Sequence, residues 1–210
     1  MFKIDKNEPN FFIEAKNKVL NPNRKEAWSD ENIQIIREDL RKHIFKNEQY
    51  GLCGYCEKLI KNEEYHIDHF RKRSLFPEDT LNYNNLLVSC NKLDRCAKFK
   101  DNKIKNKESN NELVNPVLEN PDDFFEYGFD GAIRPKESLD ELNKKRAEAT
   151  INKFNLNHLT LIEERKKVVN NLLIYLKQDL VHSYSDIYSY GLKNFISLTK
   201  WLINNKEKIA

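Results

Sequence analysis

Apolar residues recur at helical spacing near the start of the chain. Ser29 and Asp30 come first, and either side chain can accept hydrogen bonds from the amides of a first helical turn. The apolar positions that follow at steps of three and four residues are Ile33, Ile36, Leu40 and Ile44. This pattern predicts a helix from about Glu31 to Lys46 whose apolar stripe packs into a core.

A second helical pattern begins beyond Pro135. Ser138 can cap a helix that starts near Leu139, and the apolar residues from Leu156 to Leu176 form an amphipathic run of about five turns. A last helix is predicted from Tyr184 to Asn204. The change of pattern near Pro135 predicts a domain boundary, although the C-terminal helices can equally pack on the middle of the chain.

Between these regions the apolar runs are short and separated by turns. Tyr65 to His69 predicts a strand, Asn85 to Ser89 the start of a buried element, and Cys96 to Asn106 a short helix. Phe124 to Ile133 predicts a small hairpin that turns at Gly131. We therefore expect a mainly helical α+β protein with a lead-in over 1–50, a core over 51–135 and a helical region over 136–210.

Composition limits the class of protein. The 210 residues are 33% charged and 39% hydrophobic, and the net charge is +3. No stretch approaches the roughly 18 consecutive apolar residues of a membrane span, and Met1 to Lys6 has no apolar segment behind it, so we expect a cytoplasmic protein. From Tyr65 to Lys107, ten Lys and Arg stand against five Asp and Glu, a local excess that would attract a phosphate backbone.

The four cysteines form two close pairs within this middle region. Two residues separate Cys53 from Cys56, five separate Cys90 from Cys96, and 33 lie between the pairs. Four thiolates so arranged can close a tetrahedral zinc site, and in a cytosolic chain they favour metal over disulfides. The spacing predicts a structural zinc ion, with two disulfides as the alternative.

The cysteine pairs enclose the sequence His66-Ile67-Asp68-His69. The carboxylate of Asp68 could hold a divalent cation, and the imidazole of His69 could take a proton from water. His66 could serve as a further ligand or as an orienting group. Alternation along a strand would place Asp68 on the face of His66, opposite His69. The alternative is that both histidines only form hydrogen bonds beside the cysteine turn.

Four sequence blocks resemble the successive motifs of HNH endonucleases, which adopt a ββα-metal fold. More narrowly, the chain is similar to the PtuB-like HNH proteins of the Septu and retron-associated antiphage family. This likeness extends through Asn115-Pro116, the predicted hairpin and the segment Thr150 to Asn157, so it covers most of the chain. The four blocks are Cys53-Gly-Tyr-Cys56-Glu57, His66-Ile-Asp68-His69-Phe-Arg71, Asn85-Leu-Leu-Val-Ser-Cys90 and Cys96-Ala-Lys-Phe-Lys100-Asp101.

The resemblance implies specific roles within these blocks. Asp68 would bind a catalytic Mg²⁺ or Mn²⁺ ion, His69 would be the general base, and Asn85 would brace the loop that carries the base. Lys100 would lie on the short helix near phosphate. Many HNH sequences place a metal-binding Asn or His immediately after the last cysteine or one turn into this helix, where this chain has Ala97. The third protein ligand therefore stays open among His66, Asn91 and Asp101.

Basic residues flank this predicted centre, and they would contact the backbone of DNA or RNA with little base specificity. The predicted contacts are Arg71, Arg73, Lys98 and Lys100. The resemblance also implies an ATPase subunit of a defence complex as partner, with the C-terminal helices as a docking surface. The alternative function is a zinc-stapled module that binds nucleic acid or a partner without cutting, and Ala97 favours it.

Overall fold

The computed structural model describes residues 1–62, 64–177 and 193–209 of the chain. Its regular elements are mostly helices, together with two short antiparallel hairpins. In chain order they are α1 (Asn10–Asn17), α2 (Glu31–His43), β1 (Tyr65–His69), β2 (Leu86–Cys90), α3 (Cys96–Lys103), α4 (Lys107–Asn111), β3 (Phe125–Tyr127), β4 (Ile133–Pro135), α5 (Glu141–Phe154), α6 (Leu159–Lys177) and α7 (Ile196–Asn204).

Helix α2 begins where the sequence predicts. Asp30, not Ser29, is the N-cap, and its Oδ1 accepts from the amide of Asn32 at 3.0 Å. Ile33 and Leu40 are fully buried on the apolar stripe. The α-helix ends at His43 and continues as a wider π-helical turn over Ile44–Glu48, so the helical region extends slightly beyond the predicted end.

The first hairpin pairs β1 with β2 in an antiparallel register that runs from Tyr65 opposite Cys90 to His69 opposite Leu86. Every residue of β2 is buried, and so is every residue of β1 except the half-buried His66. Helix α3 follows β2 and contacts it. The chain therefore presents two strands and then a helix in succession.

The second hairpin pairs β3 with β4 and turns at Gly131, as predicted. Gly131 has a φ of +79°, and a Cβ atom there would lie 2.5 Å from the carbonyl oxygen of Ile162. Only glycine combines that backbone conformation with so close an approach of helix α6. The hairpin is thereby fixed against the C-terminal helices.

The C-terminal helices match the predicted pattern except at two starts. Asp140, not Ser138, is the N-cap of α5, because its Oδ1 accepts from the amide of Asn143 at 2.7 Å. The helix consequently starts at Glu141, two residues later than predicted.

Helix α6 extends over the predicted five-turn run. The predicted last helix is wrong at residues 193–195, which are not helical: α7 starts at Ile196, because Phe195 has a left-handed φ of 57°. Residues 184–192 of that prediction lie outside the described residues.

Two groups of buried apolar side chains form the interior. The cysteine-side core contains the four cysteines together with residues of α5, α6 and α7, among them Phe154, whose ring stacks on Tyr55 at 4.4 Å. The N-terminal core joins α1 and α2 to one face of the first hairpin, with Trp28 and Ile67 among its members. The helices beyond Pro135 thus pack on the middle of the chain and share its core.

Buried Glu57 ties distant parts of the chain to the first cysteine turn. Its carboxylate contacts the amino-terminal ammonium of Met1 and accepts from the amide of Ser197 at 2.7 Å. Although burial opposes ionisation, these partners lower the pKa of Glu57. No helix within the described ranges has both the length and the apolar content required to cross a membrane.

Candidate active site

The four cysteine side chains converge at one buried point. Their Sγ atoms all lie within 4.8 Å of one another, and none forms a disulfide. A tetrahedral ion with metal–sulfur bonds of about 2.3 Å requires sulfur atoms roughly 3.8 Å apart. The cluster is therefore close to the geometry that a thiolate-bound metal ion needs.

Three local structures bring the thiols together. Cys53 and Cys56 lie in a tight turn closed by a 3.0 Å hydrogen bond from the Glu57 amide to the Cys53 carbonyl. Cys90 is the last residue of β2, and Cys96 is the first residue of α3, with a φ of 59°. An ion bound by the four thiols would therefore cross-link the turn, the hairpin and the helix.

The thiols are electrostatically coupled. Burial opposes ionisation of Cys53, but hydrogen bonds from the other three thiols lower its pKa well below the usual value. The hydrogen bond with Cys53 is the largest cause that raises the pKa of Cys56, and burial is the largest that raises the pKa of Cys96. One thiol thus ionises at the expense of its neighbours, and a cation at the centre would stabilise all four thiolates.

Asp68 lies on β1 and is buried, with 5% of its surface exposed. Its Oδ2 accepts hydrogen bonds from the hydroxyl of Tyr55 and from the ammonium of Lys100, the latter at 2.8 Å. Burial, followed by the charge of Asp68, raises the pKa of Tyr55. Both donors act on one oxygen, and no described residue donates a hydrogen bond to Oδ1, so this oxygen remains available to a cation.

Lys100 does not lie on the surface where the sequence analysis placed it. Its ammonium is fully buried and donates to the carbonyl oxygen of His69 at 2.7 Å as well as to Asp68. It also lies 3.3 Å from Oδ1 of Asp101, without the angles of a hydrogen bond. The predicted phosphate contact of Lys100 is thus replaced by support of Asp68. Burial, and then the charge of Asp68, raises the pKa of Asp101.

His69 is held as a neutral imidazole. Its Nε2 lies 2.9 Å from the carbonyl oxygen of Thr80, which assigns the ring proton to Nε2 and leaves Nδ1 as the acceptor. Trp28 packs edge-on against the ring, with the centroids 4.7 Å apart. Burial, reinforced by the charge of Arg73, lowers the pKa of His69 to about 3.

Asn85 connects the loop after β1 to the start of β2. Its Oδ1 accepts from the amide of Arg71 at 2.7 Å, and its Nδ2 donates to the carbonyl oxygens of Arg71 and Asp79 at 3.1 and 3.0 Å. Asn85 is itself buried. These bonds tie the loop between His69 and Thr80 to the start of β2.

A cleft of about 580 Å³ brings several of the predicted residues together. Asp68 packs toward Tyr55 and His69 toward Trp28, so they lie on opposite faces of β1 as alternation predicts, yet both line the cleft. The predicted site residues that line it are His66, Asp68, His69, Arg73 and Asp101.

Other predicted residues lie outside the cleft lining. Arg71 pairs with Asp79 at 2.5 Å, and the Lys98 ammonium lies 3.4 Å from the carbonyl oxygen of Asn91. Oδ1 of Asn91 accepts a hydrogen bond from Nδ1 of His66 at 2.8 Å. The basic surface predicted from residue counts is thus divided between the cleft and its surroundings.

The cleft also contains residues that the sequence analysis missed. Its second wall is formed by the N-terminal segment, through Lys25, Trp28 and Arg37. Lys72, which belongs to the basic run predicted beside the centre, also lines the cleft. Tyr55 was missed as a partner of Asp68, although its place between Cys53 and Cys56, two of the predicted zinc ligands, was a usable signal. No local pattern pointed to Arg37, because only the tertiary fold brings α2 against the loop that follows β1.

The fold and site together define a class: a small α+β protein in which a four-thiol cluster supports a hairpin whose Asp-His pair opens on a cleft with basic walls. Sequence comparisons make this more specific. The chain is 30% identical over 172 residues to the Septu protein PtuB of Bacillus mycoides, covering 70% of this chain and 54% of that protein. It is also 30% identical over 152 residues to a Vibrio cholerae protein named "Retron Vc95 putative HNH endonuclease", covering 69% of this chain and 68% of that protein.

The chain therefore belongs to the PtuB-like HNH family. It spans about half the length of the Septu relative. No family model matches the chain.

Replacement of Asn85 by alanine is expected to loosen the loop after β1. The Arg71 amide would lose its acceptor, and an unpaired polar group in a buried position costs about 1–3 kcal/mol. We expect a lower thermal midpoint and faster hydrogen exchange at the Arg71 amide in Asn85→Ala. The matched control is Asn84→Ala, because the neighbouring Asn84 side chain is exposed. Equal exchange in the two variants would contradict the bracing role.

Proposed function

We propose that this protein is a metal-dependent HNH endonuclease subunit that hydrolyses phosphodiester bonds of DNA or RNA. In this proposal β1, β2 and α3 form a ββα-metal core stapled by zinc. The observation that carries it is the convergence of Asp68 and His69 on one cleft, with one oxygen of Asp68 and Nδ1 of His69 both free of hydrogen bonds from the described residues.

Asp68 is the first proposed ligand of the catalytic cation, through its Oδ1. The donor set suits Mg²⁺ or Mn²⁺, which prefer hard oxygen ligands. Such an ion, when bound, would polarise the scissile phosphate and stabilise charge on the leaving oxygen. Ala97 is fully buried and offers no ligand, so we propose Asp101 as the second protein ligand, with His66 through Nε2 as the other candidate.

His69 is the proposed general base. The Thr80 carbonyl oxygen holds the proton on Nε2, so that Nδ1 can take a proton from the attacking water. A pKa of about 3 keeps the imidazole neutral before substrate arrives. A phosphate anion in the cleft would raise this pKa, because a nearby negative charge favours the protonated ring. Substrate binding would thus increase the basicity of His69.

The four thiols are the proposed structural zinc site. Cys53, Cys56, Cys90 and Cys96 provide the soft ligands that zinc prefers, and their burial leaves no open coordination position. The proposed zinc ion supports Asp68 indirectly. Tyr55 lies between two of the cysteine ligands of that ion, and its hydroxyl donates a hydrogen bond to Asp68.

The biological setting is proposed from the names of the relatives. One is a Septu protein and the other a retron protein named as an HNH endonuclease, which supports a role in antiphage defence. We infer that an ATPase subunit controls the nuclease and that the C-terminal helices contribute to its docking. A protein that cuts nucleic acid without regulation would endanger its own cell, which is consistent with partner control.

A second candidate function is a zinc-stapled module that binds nucleic acid or a partner without cutting it. Two observations favour this candidate. Ala97 provides no ligand, and the buried ammonium of Lys100 already neutralises Asp68 in the absence of a cation. The cleavage experiment below distinguishes the two functions.

The first test is metal-dependent cleavage. The protein should cut plasmid DNA or total RNA when it is purified in complex with its partner and Mg²⁺ or Mn²⁺ is added. His69→Ala should slow cleavage by about 10²- to 10⁴-fold, the usual contribution of a general base. Asp68→Ala should abolish the metal-dependent cleavage, because it removes the first proposed ligand of the cation. His158→Ala is the matched control, because His158 lies outside the cleft lining. Full activity in His69→Ala would remove His69 as the general base, whereas no cleavage by the wild type would favour the non-catalytic candidate.

The second test concerns Tyr55 as a positioning residue. Tyr55→Phe removes one of the two donors that orient Asp68, and loss of such a support usually weakens metal binding by about 10- to 100-fold. Calorimetric titration of the zinc-loaded protein with Mn²⁺, without nucleic acid, measures this affinity. Tyr83→Phe is the control, because Tyr83 is an equally buried tyrosine whose hydroxyl donates to Glu48 at 2.6 Å. Equal Mn²⁺ affinities in the two variants would remove Tyr55 from this role.

The third test is zinc content. Elemental analysis should find one zinc ion per chain, and Cys96→Ser should lower both the zinc content and the thermal midpoint. Structural zinc contributes about 10–16 kcal/mol in small zinc domains, which is as large as the whole net stability of about 5–15 kcal/mol of most proteins. Chelation should therefore unfold the core. A zinc-free protein with an unchanged thermal midpoint would contradict the assignment.

A further inference from the structure

We propose that Arg37 and Arg73 form a phosphate-binding pair in the wall that the N-terminal segment adds to the cleft. This inference rests on the proposed nuclease function and extends it. The pair would hold a backbone phosphate of the nucleic acid beside the one that is cut. Arg37 lies on α2, outside the motifs of the HNH resemblance, so no motif of that family assigns it a role.

Two contacts fix the N-terminal segment against β1 and the loop that follows it, and a third places Arg37 on Trp28. Arg73 donates through a terminal nitrogen to the carbonyl oxygen of Lys25 at 3.1 Å. Trp28 packs edge-on against His69, and the guanidinium carbon of Arg37 lies 5.5 Å from the centre of the Trp28 ring. One indole ring thus separates Arg37 from the proposed general base.

The two arginines lack acidic partners of their own. Within the described ranges, neither forms an ion pair, and the hydrogen bond of Arg37 is to the side-chain oxygen of Gln34 at 3.3 Å. Both side chains line the cleft. Burial, and next the like charge of Arg37, lowers the pKa of Arg73, because two cations in one cleft repel each other. An anion between them would convert that repulsion into attraction.

The described carboxylates that line the same cleft do not form ion pairs with the two arginines. Glu26 lies 3.6 Å from the Lys25 ammonium, and Asp68 is held by Lys100. Asp101 and Asp68 act on Arg73 through their charge, but each more weakly than Arg37 does. Among the described residues, the unneutralised positive charge of the cleft is therefore carried by the arginine pair and by Lys72, whose ammonium donates to the backbone carbonyl oxygen of Asp101 at 2.8 Å.

The chemistry of the pair matches a phosphodiester. Each guanidinium presents a planar fork of donors that suits two phosphate oxygens, and it stays charged at any physiological pH. Contacts of this kind position a strand without reading its sequence. The pair would consequently set where a strand lies relative to His69, for DNA and RNA alike.

The test separates binding from stability. Binding of a fluorescently labelled DNA duplex, and of an RNA duplex of the same sequence, is measured by anisotropy over a range of salt concentrations. Neither Mg²⁺, Mn²⁺ nor a chelator is added, so the thiol cluster stays intact. Arg37→Gln should weaken binding about tenfold and reduce the dependence of log affinity on log salt by about one. Its thermal midpoint should be unchanged or higher, because the substitution relieves the repulsion with Arg73.

The matched control is Lys42→Gln on the same helix, where the half-exposed Lys42 lies 3.4 Å from Glu38 and outside the cleft lining. Arg37→Lys should retain most of the salt dependence but lose part of the affinity. If Arg37→Gln and Arg73→Gln bind both duplexes as the wild type does while wild-type cleavage is intact, the arginine-pair proposal fails and the nuclease proposal stands. If the wild type neither binds nor cuts either nucleic acid, the proposed nuclease function fails with it. A fall in the thermal midpoint of Arg37→Gln without weaker binding would make Arg37 structural.

Discussion

The convergence of four buried thiols is the constraint on which the rest of this structure depends. Cys53 and Cys56 sit in a turn, while Cys90 and Cys96 lie at the end of β2 and the start of α3. Closing this cluster draws together the ends of a long intervening segment, and that segment contains β1 and the loop after it. The entropy lost in closing such a segment is large, which explains why a strong local interaction is needed at its base.

The cleft lies where two cores meet, and each core supports one member of the Asp-His pair. Tyr55, from the cysteine-side core, holds Asp68, whereas Trp28, from the N-terminal core, packs on His69. Because neighbouring residues of a strand point to opposite faces, an adjacent acid and base necessarily draw on different surroundings. Asp68 therefore lies in a network with Tyr55 and Lys100, whereas His69 packs against Trp28. Their electrostatic environments differ although the two residues are adjacent in sequence.

Several expectations from sequence were met closely and others were not, for identifiable reasons. The bounds of α2, β1 and the second hairpin follow local patterns of apolar residues and turns, and such patterns act over a few residues. Lys100 was different: its charge is visible in the sequence, but the direction of its side chain is not. A count of basic residues therefore treated a buried partner of Asp68 as part of a surface. Arg37 was not predicted as a site residue, because Arg73, which lines the same cleft, is distant in the chain.

By itself, the sequence determined the class of this protein: the spacing of the cysteines, the Asp-His pair and the family resemblance specify what kind of centre the chain can build. Periodicity also determined where most helices and strands lie. Only the tertiary structure decided which atom of each group is free, namely Oδ1 of Asp68 and Nδ1 of His69, and that the N-terminal segment closes one side of the cleft. The physical reason is that motifs and periodicity reflect short-range order, whereas hydrogen-bond direction and burial depend on residues that meet only after the chain has folded.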